Sequence, residues 1–265
     1  MERAQRYDRQ LLLAGAMRNA VLELQEVERY GIDSYRDADY VSIYGLRPSE
    51  WYARGVRLLG RTAVECTRDS LGDAIGREVA AVVRLASPLV VDLFVGSGNT
   101  LYWLLRHLPG ARGLGFETDP MVFELTRQNL AALGLAINVR NVDYAAGLAD
   151  LRVSEGQLLV VFIAPPWGEA LVQTTGLDLR RTTPPVSEIV DVLAREVGAS
   201  PLLCVIQAYE RLDPSSLAEV RARFDWSALR IFSLNAPGEN HGVLLGTRGW
   251  LPETPRVGLP GFRAD

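Results

Sequence analysis

Apolar and polar positions along this chain follow two rhythms. Between about Ala4 and Arg29, Leu11, Ala14, Met17, Val21, Leu24 and Val27 recur at three- and four-residue spacing, which predicts an amphipathic helix with one packing face, set against the core or a partner copy. Pro48 is placed to begin a helix through about Leu59, and Ser70 with Asp73 reads as a capping box for a helix through Leu85. From Leu89 the pattern changes. Leu89 to Phe94 is a near-continuous apolar run, as expected of a buried parallel strand. Gly113 to Phe116, Ile137 to Asn141, Leu158 to Ile163 and Pro201 to Gln207 read as further strands. Helical stretches at Thr100 to His107, Pro120 to Leu133 and Ser187 to Val197 lie between them. Trp226 to Leu234 and Gly242 to Thr247, joined through Ala236, Pro237 and Gly238, predict a closing hairpin. The alternation predicts a doubly wound α/β sheet. It divides the chain into a helical N-terminal cap (1–85), an α/β core (86–250) and an irregular Pro- and Gly-containing tail (251–265).

The first strand leads into Asp92, Gly96 and Gly98, within LVVDLFVGSGNT. Glycines at these positions let a turn approach a ligand closely, and Asn99 and Thr100 open a helix whose exposed N–H groups face that turn. As a dinucleotide fingerprint the turn is incomplete, because Leu101 stands where a third glycine belongs, which argues against NAD. Glu117 closes the second strand at a distance from Asp92 suited to an acid that accepts both hydroxyl protons of a ribose. Asp143, followed by Tyr144, closes the third. Each feature has an ordinary alternative, since glycine turns are often only turns and strand-end acids are often solvated. Their order along the chain joins them into one ligand site.

The turn resembles motif I of the class I S-adenosylmethionine (SAM) methyltransferases, with Asp92 at the acidic position that ends the first strand. The resemblance implies a Rossmann-like sheet, SAM as cofactor, and a SAM site formed by Asp92, Gly96, Gly98, Asn99, Thr100, Glu117, Asp143 and Ala164. It also implies that helices preceding the first strand build the substrate lid. The segment from Tyr30 to Tyr52 holds six of the chain's aromatic residues, and Tyr44, Trp51 and Tyr52 are therefore candidate substrate contacts, although ordinary packing of the cap accounts for them equally well.

After the fourth strand comes Ile163-Ala164-Pro165-Pro166-Trp167-Gly168. It resembles the [Asp/Asn/Ser]-Pro-Pro-[Tyr/Phe/Trp] motif of methyltransferases acting on amino groups attached to planar rings. In that family the first side chain and the following carbonyl accept the amine protons while the aromatic residue stacks on the ring. Pro165 and Trp167 match these roles. Ala164 does not, because a methyl group accepts no hydrogen bond, and loss of such an acceptor costs about 1 to 3 kcal/mol. The Pro-Pro-Trp-Gly wording is similar to trimethylguanosine synthases, with Glu169 in place of their second glycine. A substitute acceptor or base is sought among Glu169, Glu210 and His241, one of two histidines in the chain, although a packed or surface histidine is the commoner case.

Composition narrows the partners. The 265 residues carry a net charge of −4 with no lysine, so all 28 basic residues are arginines, and no general attraction to a phosphate backbone follows. Arg180 and Arg181 read as solvated. Cys66 and Cys204 lie far apart; Cys204 reads as strand core, and no metal-ligand spacing is present. The N-terminal stretch has neither a secretory apolar region nor a membrane span, so a cytoplasmic location is expected. The expected activity is SAM-dependent N-methylation of a small planar biosynthetic substrate, with Pro165, Trp167, His241 and Glu169 as candidate catalytic residues. The alternatives are an RNA guanine N2-methyltransferase, disfavoured by charge, and a non-catalytic protein that keeps the fold.

Overall fold

In a computed structural model, residues 6–83, 87–172, 174–235 and 239–253 are described. The N-terminal region is not one helix. Asp8 caps a short α1 (Arg9–Leu13) by accepting the Leu11 N–H, and the helix stops at an extended Ala14. Gly15, at φ +52°, then turns the chain into a single 3-10 helix (Gly15–Asn19). A new helix, α2 (Leu24–Tyr35), starts where Glu26 reaches back to the Glu23 N–H. The apolar period thus survives while the helix breaks, because a glycine and a capping pair interrupt it. Ala4 and Gln5 lie outside the described residues.

Pro48 does open a helix, but α3 (Pro48–Ala53) ends well before Leu59, as Gly55 takes φ +88°. A separate α4 (Gly60–Glu65) follows. The next helix, α5 (Asp69–Val82), starts one residue before the expected Ser70 cap. Ser70 lies in its first turn, and the Asp69 carboxylate instead accepts from Gly45 N–H, Asn99 Nδ2 and Trp103 Nε1. Leu85, the expected end, is outside the described residues.

The core alternates strands and helices as the apolar runs predict: β1 (Leu89–Asp92), α6 (Asn99–His107), β2 (Arg112–Glu117), α7 (Pro120–Ala132), β3 (Asn138–Asn141), α8 (Tyr144–Ala149) and β4 (Leu159–Ile163). A small antiparallel pair follows, β5 (Leu171–Val172) with β6 (Gly176–Leu177). Then come α9 (Val186–Val197), β7 (Leu202–Tyr209), α10 (Pro214–Arg221), β8 (Trp226–Phe232) and β9 (His241–Arg248). The main sheet has the order β3-β2-β1-β4-β7-β9-β8. Its first five strands are parallel, and β9 runs antiparallel between β7 and β8. Residues 236–238 of the expected hairpin connection and 254–265 of the expected tail are outside the described residues.

Strand period two sorts the core into layers. Val91, Val161 and Cys204 face α8, α9 and α10, whereas Val90, Val160 and Val205 face α5 and α6. Helices α5 and α6 pack closely, since a Cβ on Gly72 would lie 2.6 Å from the Trp103 ring and one on Gly76 2.4 Å from the His107 ring. A third apolar cluster, containing Leu12, Val27, Tyr30, Val41, Trp51 and Val56, also contains Leu130 of α7, so the N-terminal segment packs onto the core. Among the described residues no helix is long and apolar enough to cross a membrane.

Candidate active site

The carboxyl ends of the parallel strands carry the acids and the turn. Val95 N–H bonds to the Phe116 carbonyl and Gly98 N–H to the Val95 carbonyl, which curls residues 93–98 into a tight loop. Gly96 (φ +49°) and Gly98 (φ +79°) supply conformations that a side chain disfavours. A Cβ on Gly96 would meet only the Phe94 carbonyl, at 3.9 Å, so the backbone there is open to a ligand. Thr126 Oγ1 donates to the Gly96 carbonyl at 2.6 Å and steadies the loop from α7.

Asp92 is 1% exposed and, among the described residues, accepts one side-chain hydrogen bond, from Phe94 N–H. Burial pushes its carboxyl up to about 7, with Phe94 opposing the shift and Glu117 adding to it. Glu117 is raised as well, chiefly by burial; its Oε2 accepts from Gly96 N–H and its Oε1 from Asp119 N–H. Among the described residues no basic side chain forms an ion pair with either acid. A buried carboxylate without a counter-charge is a receptor for a cation. SAM fits these acceptors: Asp92 would receive its ammonium, and Glu117, already oriented by two N–H groups, would have lone pairs left for its ribose diol. Asp143 is exposed and uses Oδ1 to cap α8 through Ala145 N–H. Asn99 and Thr100 are buried in the first turn of α6, but the Asn99 side chain turns away from the loop. Its Oδ1 accepts from Tyr44 N–H at 2.6 Å, and its Nδ2 donates to the Thr67 carbonyl and Asp69. The side chain thus ties cap to core, and only the main chain of Asn99 is left for a cofactor.

The Pro-Pro-Trp stretch leaves β4 beside β7. Pro165 is buried, Trp167 half-buried and Glu169 exposed in a 3-10 turn (Gly168–Ala170). The Pro166 carbonyl accepts from Thr183 N–H and the Trp167 carbonyl from Ala170 N–H. Among the described residues the Ala164 and Pro165 carbonyls accept no hydrogen bond, which leaves both to a ligand. The Trp167 indole stacks on His241, centroids 5.3 Å apart and planes 18° from parallel, and Tyr209 stands edge-on to both. Tyr209 and His241 are register partners on β7 and β9. Tyr209 escaped the sequence reading, although the apolar run of β7 continues through it. Burial lowers the His241 pKa to about 4, helped by the charges of Arg68 and Arg9 and opposed by Glu210. At neutral pH the ring is uncharged and a weak proton acceptor, which removes the reason for its assignment as general base.

The aromatic cap residues divide. Trp51 is fully buried, its Nε1 donating to the Val41 carbonyl, so the structure corrects it from substrate contact to core. Tyr52 bonds to Glu23 through its hydroxyl and lies under the Arg57 guanidinium, 3.6 Å from its ring centroid. Tyr44, in a tight turn with Gly45, donates its hydroxyl to the Ser97 carbonyl and so buttresses the glycine loop.

Sheet order, glycine loop and strand-end acids agree with the Rossmann-like methyltransferase fold that the sequence resemblance implies. The chain matches no known family profile. It is 31% identical over 153 residues to a 4-amino-L-phenylalanine/4-methylamino-L-phenylalanine methyltransferase of Streptomyces pristinaespiralis, covering 57% of this chain and 48% of that protein. The chain thus spans about half the length of the curated relative it matches. Similar solved structures include a methyltransferase from Geobacter sulfurreducens (16% identity, TM-score 0.43, 69% of this chain and 79% of that one). Another is a precorrin-6y C5,15-methyltransferase from Geobacter metallireducens (15% identity, TM-score 0.44, 68% and 89%).

Proposed function

We propose that this protein is a SAM-dependent N-methyltransferase whose substrate is an arylamine carried by an amino acid side chain. The observation that carries the reading is the flat Trp167–His241 platform beside the uncommitted Ala164 and Pro165 carbonyls, a short step in the sheet from the acid-lined loop. When bound, SAM supplies an electrophilic methyl group on a sulfonium, which an in-line nitrogen lone pair displaces to leave a neutral thioether.

Trp167 holds the aryl ring and the Pro165 carbonyl orients an amine proton, which aims the lone pair. The missing acceptor at Ala164 matters less for an arylamine than for a ring-conjugated amine of a nucleobase, whose lone pair is more strongly withdrawn. An arylammonium product releases its proton readily, so the weakly basic His241 suffices as a wall of the pocket. A small apolar side chain at Ala164 also leaves room for a methyl group already on nitrogen, which supports two successive transfers. The Streptomyces pristinaespiralis relative, named for both an amino and a methylamino substrate, supports the same reading.

The test is incubation with methyl-labelled SAM and 4-aminophenylalanine, with products identified by mass. Mono- and dimethylated amino acid are expected. Absence of product there, together with label in RNA from a bacterial extract, would transfer the assignment to the guanine N2-methyltransferases.

A further inference from the structure

We infer that Arg68 is a specificity-determining residue that receives a carboxylate on the substrate, so that the protein selects arylamines bearing an anionic tail over neutral ones. The inference deepens the proposed function and rests on it. Arg68 stands just before α5, where the N-terminal segment meets the core, and its guanidinium carbon lies over Tyr40, 3.9 Å from the ring centroid. Tyr40 is itself stacked on Tyr35. The ring contact and the hydrogen bond to Asn235 together restrain the guanidinium.

Hydrogen bonds lead from Arg68 to the platform. Its Nη2 donates to Asn235 Oδ1 at 3.2 Å, Asn235 N–H donates to Asn240 Oδ1 at 2.9 Å, and Asn240 donates from both its backbone N–H and its Nδ2 to Glu210. Asn240 immediately precedes His241, and Glu210 immediately follows Tyr209, the two residues packed against Trp167. The depressed basicity of His241, to which Arg68 contributes, is consistent with this proximity.

Charge pairing sets Arg68 apart. Arg61, Arg180 and Arg223 each grip an acid at 2.7 to 2.9 Å. Arg68 is half-buried, yet among the described residues no carboxylate lies within ion-pair distance of it, in a chain whose net charge is −4. Among the described residues its one side-chain hydrogen-bond partner is a neutral amide oxygen, which leaves most of the five donors of the fork to other groups. A partly desolvated guanidinium, linked through Asn235 to Asn240, the residue next to the aromatic platform, is suited to a bidentate carboxylate.

The experiment compares 4-aminophenylalanine with its carboxamide, which keeps size and arylamine but removes the negative charge, in the wild type and in Arg68→Gln and Arg68→Lys. Binding is followed by calorimetry in the presence of S-adenosylhomocysteine, and kcat and KM are measured separately. The wild type is expected to prefer the acid by on the order of 30-fold in kcat/KM, mainly through KM. Arg68→Gln should abolish that preference by weakening the acid alone, Arg68→Lys should restore part of it, and affinity for S-adenosylhomocysteine should stay at the wild-type value. Equal handling of acid and carboxamide by the wild type, a comparison that needs no variant, would overturn the inference and leave the proposed function standing. So would an Arg68→Gln variant that weakens both compounds alike, as a purely structural role requires. Wild-type protein that neither binds nor methylates either compound would overturn both readings.

Discussion

The stacking of Trp167 on His241 joins the motif loop after β4 to the first residue of β9, two parts of the chain 74 positions apart. It turns a histidine that resembles a base into a wall of the site. Trp167 and Tyr209 pack against it, and burial holds the imidazole at about 4, with the charges of Arg68 and Arg9 adding to the shift and Glu210 opposing it. His241→Phe should therefore retain wild-type turnover within about threefold, whereas His241→Ala, which removes the stacked face, should raise KM about fivefold to tenfold. The wild-type pH–rate profile should show no inflection from this residue between about pH 6 and 8. A break near neutrality that disappears in His241→Phe, with a large loss of kcat, would restore the residue as a base.

Asp92 links cofactor affinity to pH. Its native carboxyl, raised to about 7 by burial, holds a proton that the unfolded chain releases near the ordinary carboxylate value. The unliganded protein thus loses stability from this group as pH rises toward 7 and stays at the lower level above it. Asp92→Asn removes the charge while keeping an acceptor for Phe94 N–H. Its melting temperature should exceed that of the wild type at pH 8 and approach it at pH 4, and its SAM affinity at pH 8 should fall on the order of tenfold to a hundredfold. Wild-type affinity by calorimetry would remove Asp92 from the cofactor site. For the wild type, SAM should bind more tightly as pH rises through 7, because binding favours the carboxylate.

Asn99 holds the cap to the core. Alanine there leaves the buried Tyr44 N–H without its acceptor and the Thr67 carbonyl without its donor, at a cost of about 2 to 3 kcal/mol in denaturant unfolding. Tyr44→Phe, which removes the hydroxyl bonded to Ser97, should cost about 1 kcal/mol and weaken SAM binding only a few-fold. A large loss of stability in Tyr44→Phe, with Asn99→Ala neutral, would contradict this division.

Ala164 tests the order of methyl transfers. Asparagine at this position offers a second acceptor to the amine but fills the room for a methyl group already on nitrogen. The first transfer should accelerate by up to about tenfold and the second should slow, giving a higher ratio of mono- to dimethylated product by mass. An unchanged ratio would indicate that the Ala164 and Pro165 carbonyls alone orient the nitrogen.

The parallel strands were legible from sequence because they are buried on both faces: apolar runs such as Leu89–Val91 and Leu159–Ile163 leave the pattern little choice. The acids Asp92 and Glu117 and the two loop glycines were legible for a local reason too, since a strand-end acid and a positive-φ turn are properties of a few adjacent residues. The Asp213-Pro214 pair that starts α10 was equally local and was passed over, whereas α8 is too short to show a helical period.

What the tertiary structure alone decided depends on residues distant in sequence. The N-terminal apolar stripe is continuous in sequence yet divided among α1, a 3-10 turn and α2, because packing rewards the buried positions without requiring an unbroken axis. Asn99 meets Tyr44 across 55 residues, which turned a cofactor candidate into a tie. Trp51 became core because Val41 satisfies its indole N–H. The low basicity of His241, and the lack of a carboxylate beside Arg68 among the described residues, likewise follow from burial and from neighbours on other elements. Local patterning determined where strands, loop and acids fall; desolvation and long-range contact, which no window of sequence contains, decided which of the gathered side chains remain available for chemistry.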